Sequence, residues 1–259
     1  MFKIGILNTR NNKINQSGGL REDGKDNAKL IAKHINESNY LFLGTQELTY
    51  NITKRLSGFL DGYNIYGGYR LGNCKIIRKL FKKYNESNAV ITREKVKRVK
   101  NYLLPFFPWN FKDMKLSFKK RSVMPRIATM IILEYDKKEI CVINTHLDYY
   151  IKSIQKRQLK KLIKIIKKNY QKYEIVLCGD FNLEVKHQIF KDFIQKLEKY
   201  NIKRVMVDTK TNSKKFKNKT AIDHIFVPND WEIIEAQIIS DNNLKGITDH
   251  TGIFVNIAE

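Results

Sequence analysis

The feature that most restricts the fold is the order in which short apolar segments alternate with amphipathic segments along the chain. Eight segments have the length and the apolar pattern of strands: 2–8, 40–45, 128–135, 140–145, 174–178, 221–227, 232–239 and 252–257. Four amphipathic segments predict helices: 24–36, with Asp23 as the N-cap, 49–60, 151–168 and 187–200. Strand–helix units come early and again near 140–178, whereas strand follows strand after residue 202. This order predicts an α/β protein with helical layers packed on mixed sheets.

Length and composition predict one folded domain over residues 1–259, since 42% of the residues are hydrophobic and no repeat or linker is visible. The least regular part is a basic–aromatic insertion at about 68–124. It contains basic clusters at 75–83 and 112–121 around an aromatic stretch at 103–111. Such a segment could bind single-stranded nucleic acid, contact a membrane interface, or simply pack on the domain.

The charge of the chain is strongly positive, with 49 Lys and Arg against 26 Asp and Glu, or +23. This excess favours a polyanionic partner, although an AT-rich genome would also raise the lysine content. Three cysteines without a CxxC or Cys/His spacing argue against a disulfide framework and a zinc site. No signal peptide and no apolar run near the roughly 18 residues that cross a bilayer is visible, so we expect a cytoplasmic protein.

Polar residues stand where predicted strands end or begin, which is where α/β proteins place their sites. They include three carboxamides, several carboxylates and three histidines: Asn8, Gln46, Glu47, His146, Asp148, Asp180, Asn182, Asp223, His224, Asp249 and His250. Each one alone is explained by a cap, a turn or an ordinary hydrogen bond. Their joint position at strand termini indicates a common site.

This set of residue types suits metal-assisted hydrolysis of a phosphoester. Asn8, Glu47 and Asp249 offer the hard oxygen donors that Mg²⁺ or Mn²⁺ prefers. Asp180 could orient and deprotonate a water molecule, and Asn182 could donate to a phosphoryl oxygen. A histidine held by a carboxylate, as His250 by Asp223, would face the phosphate with a fixed tautomer or charge.

The motifs NTHLD, GDFN and a terminal TDH, together with Asn8 and Glu47 upstream, resemble those of the endonuclease/exonuclease/phosphatase superfamily. The resemblance runs from Asn8 to His250 and implies a four-layer α/β/β/α sandwich of two mixed sheets, as in pancreatic deoxyribonucleases. It also implies Mg²⁺-dependent phosphoester hydrolysis. By motif, the implied metal residues are Asn8, Glu47 and Asp249, and the implied catalytic residues are His146, Asp180, Asn182, Asp223 and His250.

The subgroup stays open. The Trp-Cys-Asp-Arg motif of inositol-polyphosphate 5-phosphatases is absent, and the Trp-rich DNA-reading region of abasic-site endonucleases is reduced to GITDH. NTHLD followed by a helix is similar to a bacterial subgroup of mostly unassigned hydrolases and to the deadenylase-like branch.

Four further residues are candidates for contacts near the substrate. Gln155 and Gln158 fall inside the apolar stripe of the helix after NTHLD, where buried amides need partners in the site loops or in the substrate. Arg157 lies at the edge of that stripe, and Arg126 opens a strand as a possible phosphate contact.

The sequence thus predicts a divalent-metal-dependent phosphoester hydrolase, with a preference for a phosphodiesterase that acts on nucleic acid. The alternatives are a phospholipid substrate, with 103–111 dipping into the membrane interface, and a small phosphorylated metabolite. An inactive binding protein on the same fold is the alternative from a different class. No obligate protein partner is indicated.

Overall fold

The fold is known from a computed structural model, which describes residues 1–10, 12–72, 85–107, 113–115, 124–207, 222–239, 244, 246–248, 250 and 252–258. In this part of the chain, twelve strands form two six-stranded sheets. Sheet 1 has the order β11-β12-β1-β2-β4-β3, and sheet 2 has the order β5-β6-β7-β8-β10-β9. The strands of sheet 1 are β1 Phe2–Asn8, β2 Tyr40–Thr49, β3 Asn64–Tyr66, β4 Glu86–Thr92, β11 Ile233–Ile238 and β12 Ile253–Ile257. Those of sheet 2 are β5 Val96–Leu104, β6 Arg126–Tyr135, β7 Lys138–His146, β8 Glu174–Asp180, β9 Ile202–Arg204 and β10 Asp223–Pro228.

Both sheets are mixed. In sheet 1, β1 runs parallel to β2 and antiparallel to β12. In sheet 2, β7 runs parallel to β8, and β8 runs antiparallel to β10. The parallel pairs bring the carboxyl ends of β1 and β2, and of β7 and β8, to one edge of each sheet.

Helices cover the outer faces of both sheets: α1 Lys13–Gln16, α2 Asn27–Ser38, α3 Tyr50–Ser57, α4 Lys152–Asn169 and α5 Gln188–Glu198. One core lies between the sheets and joins Ile4 of β1 to Val142 of β7. A second core packs α2 and α3 on sheet 1, and a third packs α4 and α5 on sheet 2. The expected four-layer α/β/β/α sandwich is therefore confirmed.

Four strands were not predicted, and two of them lie in the segment that was expected to be irregular. β5 is an edge strand whose sequence VKRVKNYLL is mostly exposed, so it lacks an apolar face. Charged residues on an edge strand oppose pairing with other chains. β4 is buried along its whole length but begins with the polar residues Glu86, Ser87 and Asn88. Neither strand carries the apolar signature on which the prediction depended.

The start of α2 also differs from the prediction. Asp26, rather than Asp23, is the N-cap, and its carboxylate accepts hydrogen bonds from the backbone N–H groups of Ala28 and Lys29. Asp23 instead accepts from the Lys25 N–H in a turn around Gly24, whose φ of +75° favours glycine. The helix therefore begins three residues later than expected, at Asn27.

In the described part of the chain, none of the helices combines the length and the apolarity that a bilayer crossing requires. The basic cluster 75–83, most of the cluster 112–121, and Trp109 and Phe111 of the aromatic stretch lie outside the described residues.

Candidate active site

Three neighbouring strands of sheet 2 present acid–base side chains in register. His146, the last residue of β7, is the register partner of Asp180, the last residue of β8. Asp180 in turn is the register partner of Asp223, the first residue of β10. In sheet 1, Asn8 at the end of β1 is aligned with Gln46 of β2. The sheet register thus brings residues from distant parts of the sequence to one edge of the sandwich.

Asp180 lies at the centre of this group and is only 1% exposed. Its Oδ2 atom lies 3.5 Å from Nε2 of His146 and 3.8 Å from Nε2 of His250, and it accepts a hydrogen bond from the Asn8 amide at 3.2 Å. Oδ1 accepts from the backbone N–H of Asn182 at 2.9 Å. Burial, followed by the negative charge of Asp223, raises the pKa of Asp180 to about 7. A carboxylate with such a pKa can accept a proton near neutral pH.

His250 is bound to a carboxylate in the manner predicted from the sequence. Its Nδ1 atom lies 2.9 Å from Oδ2 of Asp223. Burial alone would lower the pKa of His250, but the hydrogen bond and charge of Asp223, with Asp180 and Glu47, raise it to about 9. At neutral pH the imidazole therefore carries a positive charge, which Asp223 holds in place.

His146 has the opposite protonation state. Burial, followed by the positive charges of Arg126 and Arg70, lowers the pKa of His146 well below its usual value. It is thus neutral at pH 7, and its Nε2 atom faces Asp180. The site combines a neutral and a charged histidine around one carboxylate.

Asn8 and Glu47 meet beside Asp180. The Asn8 amide donates to Oε1 of Glu47 at 3.2 Å as well as to Asp180, and its Oδ1 atom accepts from the Arg10 N–H at 2.9 Å. In this arrangement Asn8 bridges two carboxylates, and a metal contact through Oδ1 would require the amide to rotate. Glu47 has a φ of +61°, a strained value for a residue with a side chain, which is typical of functional sites.

The donor set at this edge suits a hard divalent cation. Ligand atoms of Glu47, His146 and Asp180 lie within 4.8 Å of one another, and so do those of Asp180, Asp223 and His250. Asp223 and Glu47 both raise the pKa of Asp180, so these carboxylates repel one another, and a divalent cation would relieve this repulsion. Asp249, the third predicted ligand, lies outside the described residues.

The loops that follow β7 and β8 are held by side chains of α4. Gln158 accepts from the Asp148 N–H and donates to the Pro105 carbonyl, both at 2.8 Å. Gln155 donates to the carbonyls of Asp148 and Asn182. Both glutamines thus have backbone partners in the loops and support them, while Oε1 of Gln155 is buried without a hydrogen-bond partner among the described residues. A contact of either glutamine with a substrate stays a prediction.

Three other residues were predicted to act at the site: Asn182, Arg157 and Arg126. Asn182 adopts a left-handed conformation (φ +51°), and its amide donates to the Leu147 carbonyl. Arg157 donates a hydrogen bond to the Phe107 carbonyl. Arg126 is buried next to His146. Contacts between any of these residues and a substrate stay predictions.

Two polar residues at strand ends are structural. The Asp148 carboxylate accepts from the N–H groups of Tyr150 and Ile151 and so organises the start of α4. His224 is buried among aromatic rings, 4.7 Å from Phe190 between ring centroids, and bonds the Leu183 carbonyl.

The structure adds two pairs that the sequence did not indicate. Gln46 of sheet 1 donates to Oδ1 of Asn144 of sheet 2 at 2.7 Å, and both side chains are fully buried. This hydrogen bond joins the sheets next to Glu47 and His146. Arg70 and Glu86 form an ion pair of 2.9 Å near His146. Although Asn144 opens the motif NTHLD and Gln46 stands at a predicted strand end, only the fold reveals that these residues pair with each other and that Arg70 pairs with Glu86.

Comparison with known proteins agrees with this geometry. The model of the endonuclease/exonuclease/phosphatase family matches residues 8–250, whereas a search of curated proteins finds no match. The fold is similar to that of a mannosyl-6-phosphatase from Bacteroides thetaiotaomicron, with 20% identity, full coverage of both chains and a TM-score of 0.74. A family protein from Bacteroides vulgatus is 18% identical, with 99% of this chain and 98% of that chain covered and a TM-score of 0.76. The catalytic domain of human nocturnin is 16% identical, with 99% and 94% covered and a TM-score of 0.67.

The chain therefore belongs to the endonuclease/exonuclease/phosphatase family, a family of divalent-metal-dependent phosphoester hydrolases. It is an enzyme of this class. The resemblance recognised from the motifs NTHLD, GDFN and TDH is confirmed.

Proposed function

We propose that this enzyme is a Mg²⁺- or Mn²⁺-dependent phosphodiesterase that acts on nucleic acid. The observation that carries the hydrolytic part is the position of Asp180, whose Oδ2 atom faces Nε2 of both His146 and His250 within 3.8 Å. A base, a neutral imidazole and a cationic imidazole thus surround one point, where a phosphoryl group would meet all three.

In the proposed mechanism, Asp180 orients a water molecule and accepts its proton as the water attacks phosphorus. The raised pKa of Asp180 suits this role near neutral pH. His250, held by Asp223, places its positive charge on the phosphoryl oxygens as negative charge develops there. His146 is neutral and donates a hydrogen bond to the same group. The P–O bond to the leaving group then breaks, and the attacking water oxygen stays on phosphorus. The leaving oxygen departs with the electron pair of the bond and takes up a proton from water.

Glu47 and Asp249 would hold the divalent cation, with Asn8 beside them. When bound, the cation supplies charge neutralisation at the phosphoryl oxygens and at the leaving oxygen. The carboxylate oxygens of Glu47 and Asp249 favour Mg²⁺ or Mn²⁺ over a softer metal.

Two features support nucleic acid as the substrate. The net charge of +23 favours a long polyanion. Exposed aromatic side chains also lie near the site: Phe107 is 51% exposed, Tyr149 45% and Tyr150 39%. Gln158 holds the two segments together, since it hydrogen-bonds Asp148, next to the two tyrosines, and Pro105, near Phe107. Bases of a single strand could stack on such a surface.

A small phosphorylated metabolite is the second candidate. It is favoured by the likeness over the full length of both chains to a mannosyl-6-phosphatase, a protein whose name states a sugar phosphate substrate. A phospholipid substrate would instead use the exposed side chains of Leu103 and Phe107 at a membrane interface.

The test is Mg²⁺- and Mn²⁺-dependent hydrolysis of single- and double-stranded DNA, RNA, sphingomyelin vesicles, sugar phosphates and bis-p-nitrophenyl phosphate. Asp180→Asn should abolish turnover, whereas Asp136→Asn, in the exposed β6–β7 turn, should not change it. Cleavage of nucleic acid that weakens steeply with salt supports the proposal. Activity on lipid or on a sugar phosphate alone contradicts the choice of substrate, and full activity of Asp180→Asn contradicts the mechanism.

A further inference from the structure

A small pocket opens beside His146 and extends the active site on the side of β4 and β6. Its lining side chains include Arg70, Glu86, Asn88, Arg126 and Ile127, so two guanidinium groups and one carboxylate meet there. The mechanism above leaves this pocket without a role.

The charges of the pocket do not balance. Arg70 pairs with Glu86 at 2.9 Å, and these side chains are 8% and 11% exposed. Arg126 is also only 8% exposed, but its Nε atom has no hydrogen-bond partner within the described part of the chain. A buried guanidinium N–H without a partner is costly, because it has lost its hydration and gained no acceptor. One buried positive charge and one donor are therefore left for a ligand.

The pocket is continuous with the reaction centre. His146 lines the pocket and also faces Asp180. The charges of Arg126 and Arg70 act on His146, and that of Glu47 acts on Arg70. A group bound between the two arginines would therefore belong to the molecule whose scissile phosphate lies at Asp180 and His250.

We propose that this pocket binds a second, terminal phosphoryl group of the substrate, with Arg126 as its main partner. The inference rests on the proposed hydrolytic function and deepens it, since it restricts the substrate to a molecule with a phosphate monoester close to the scissile bond. Guanidinium groups bind such a dianion through paired hydrogen bonds. Glu86 holds Arg70 in place, and Arg126 supplies the uncompensated charge.

A terminal phosphate monoester next to a scissile phosphate occurs in two kinds of molecule, a nucleic acid with a phosphorylated end and a small bisphosphorylated metabolite. The experiment therefore uses matched pairs of substrates. The first pair is a thymidine trinucleotide with and without a terminal phosphate, and it is prepared once with the phosphate at the 5′ end and once with the phosphate at the 3′ end. The second pair is a hexose bisphosphate and the corresponding monophosphate. The ratio of kcat/KM within each pair measures the contribution of the second phosphate, and the pair with the larger ratio identifies the source.

We expect the phosphorylated member of one pair to be preferred about 10- to 100-fold, the range expected for hydrogen bonds to a charged group. Arg126→Gln should reduce this preference to about one, and Arg126→Lys should retain part of it. Arg98→Gln, an exposed arginine on the neighbouring strand β5, should keep the wild-type preference. Circular dichroism will verify that each variant is folded. No preference in the wild-type enzyme, or equal losses on both members after Arg126→Gln, would overturn the proposal.

A separate binding measurement distinguishes failure of the pocket from failure of the proposed function. Inorganic phosphate is titrated calorimetrically into metal-free enzyme and into the Arg126→Gln and Arg98→Gln variants. Weaker binding only in Arg126→Gln supports the pocket even if none of the substrates is hydrolysed. Equal binding by all three proteins contradicts it even if nucleic acid is cleaved.

Discussion

Nδ1 of His250 lies 2.9 Å from Oδ2 of Asp223, although 27 residues separate the two in sequence. Asp223 begins β10 and is thereby aligned with Asp180, so one carboxylate orients the histidine and the next one faces it. The pair keeps His250 protonated, because its pKa is raised to about 9 against the effect of burial. The charge at the phosphate site thus depends mainly on Asp223, which lies in a distant segment of the sequence, with added contributions from Asp180 and Glu47.

Asp223→Asn should lower kcat by roughly 10²- to 10⁴-fold, the usual contribution of a positioned acid–base group. The amide cannot balance the imidazolium charge, so the pKa of His250 should fall from about 9 towards 6.5. Because the wild-type pKa is raised, the charge is present below pH 9 in the wild-type enzyme and only at lower pH in the variant. NMR titration of the imidazole in metal-free enzyme measures this change, and an unchanged titration would contradict the role of Asp223.

Glu47→Gln should weaken the binding of the divalent cation before it affects any other property of the enzyme. Replacing the carboxylate removes one negative charge from the group that Glu47 forms with His146 and Asp180. The Mg²⁺ concentration for half-maximal activity should rise by about tenfold or more, as for loss of one charged ligand. Glu37→Gln, whose side chain is 61% exposed on α2, is the matched control. If both variants gave the wild-type metal titration, Glu47 would not be a ligand.

Gly179→Ala should destabilise the protein by about 4 kcal/mol or more, a loss at the upper end for one substitution. Gly179 has a φ of +134°, and a Cβ atom there would lie 1.9 Å from the Thr145 carbonyl oxygen. Any side chain would push β7 from β8 next to His146 and Asp180. Gly24→Ala is the control, since its φ is also positive (+75°) but a Cβ atom would meet nothing within 4 Å. Urea unfolding of both variants checks the prediction, and equal losses would refute it.

His224 should make the fold sensitive to acid. Burial lowers the pKa of His224 to about 4, whereas the unfolded chain binds the proton near pH 6.5. Stability is therefore complete above pH 6.5 and is lost as the pH falls from 6.5 to about 4. The difference between the two pKa values corresponds to a loss of roughly 3 kcal/mol in the free energy of unfolding.

The test of this prediction is urea unfolding at several pH values. His224→Gln should remove about 3 kcal/mol of the pH-dependent loss, and the part due to His146, whose pKa burial also lowers, should remain. The stability of the variant at pH 7 should fall because the ring no longer packs on Phe190. His187→Gln, at the start of α5, is the control and should keep the wild-type pH dependence. The same slope in His224→Gln as in the wild-type protein would assign the acid sensitivity to other groups.

The sequence alone sufficed for the parts of the molecule that are encoded locally. Eight strands and four helices were recognised because an apolar face repeats with a period set by the backbone, and such patterns need only neighbouring residues. Asp180 and Asp223 were recognised because polar side chains stand out at the ends of apolar strands. The motifs around His146, Asp180 and His250 then indicated the family.

Only the tertiary structure decided which of these residues meet and what surrounds them. β4 was missed because its buried start is polar, and burial of Glu86 depends on its ion pair with Arg70, which lies in the turn after β3. The bond between Gln46 and Asn144 spans 98 residues and leaves no local pattern. Protonation states also depend on the fold: burial, followed by the charges of Arg126 and Arg70, lowers the pKa of His146, whereas Asp223 raises that of His250 against the effect of burial. Local periodicity determines the elements, whereas contacts between distant segments determine the chemistry of the site.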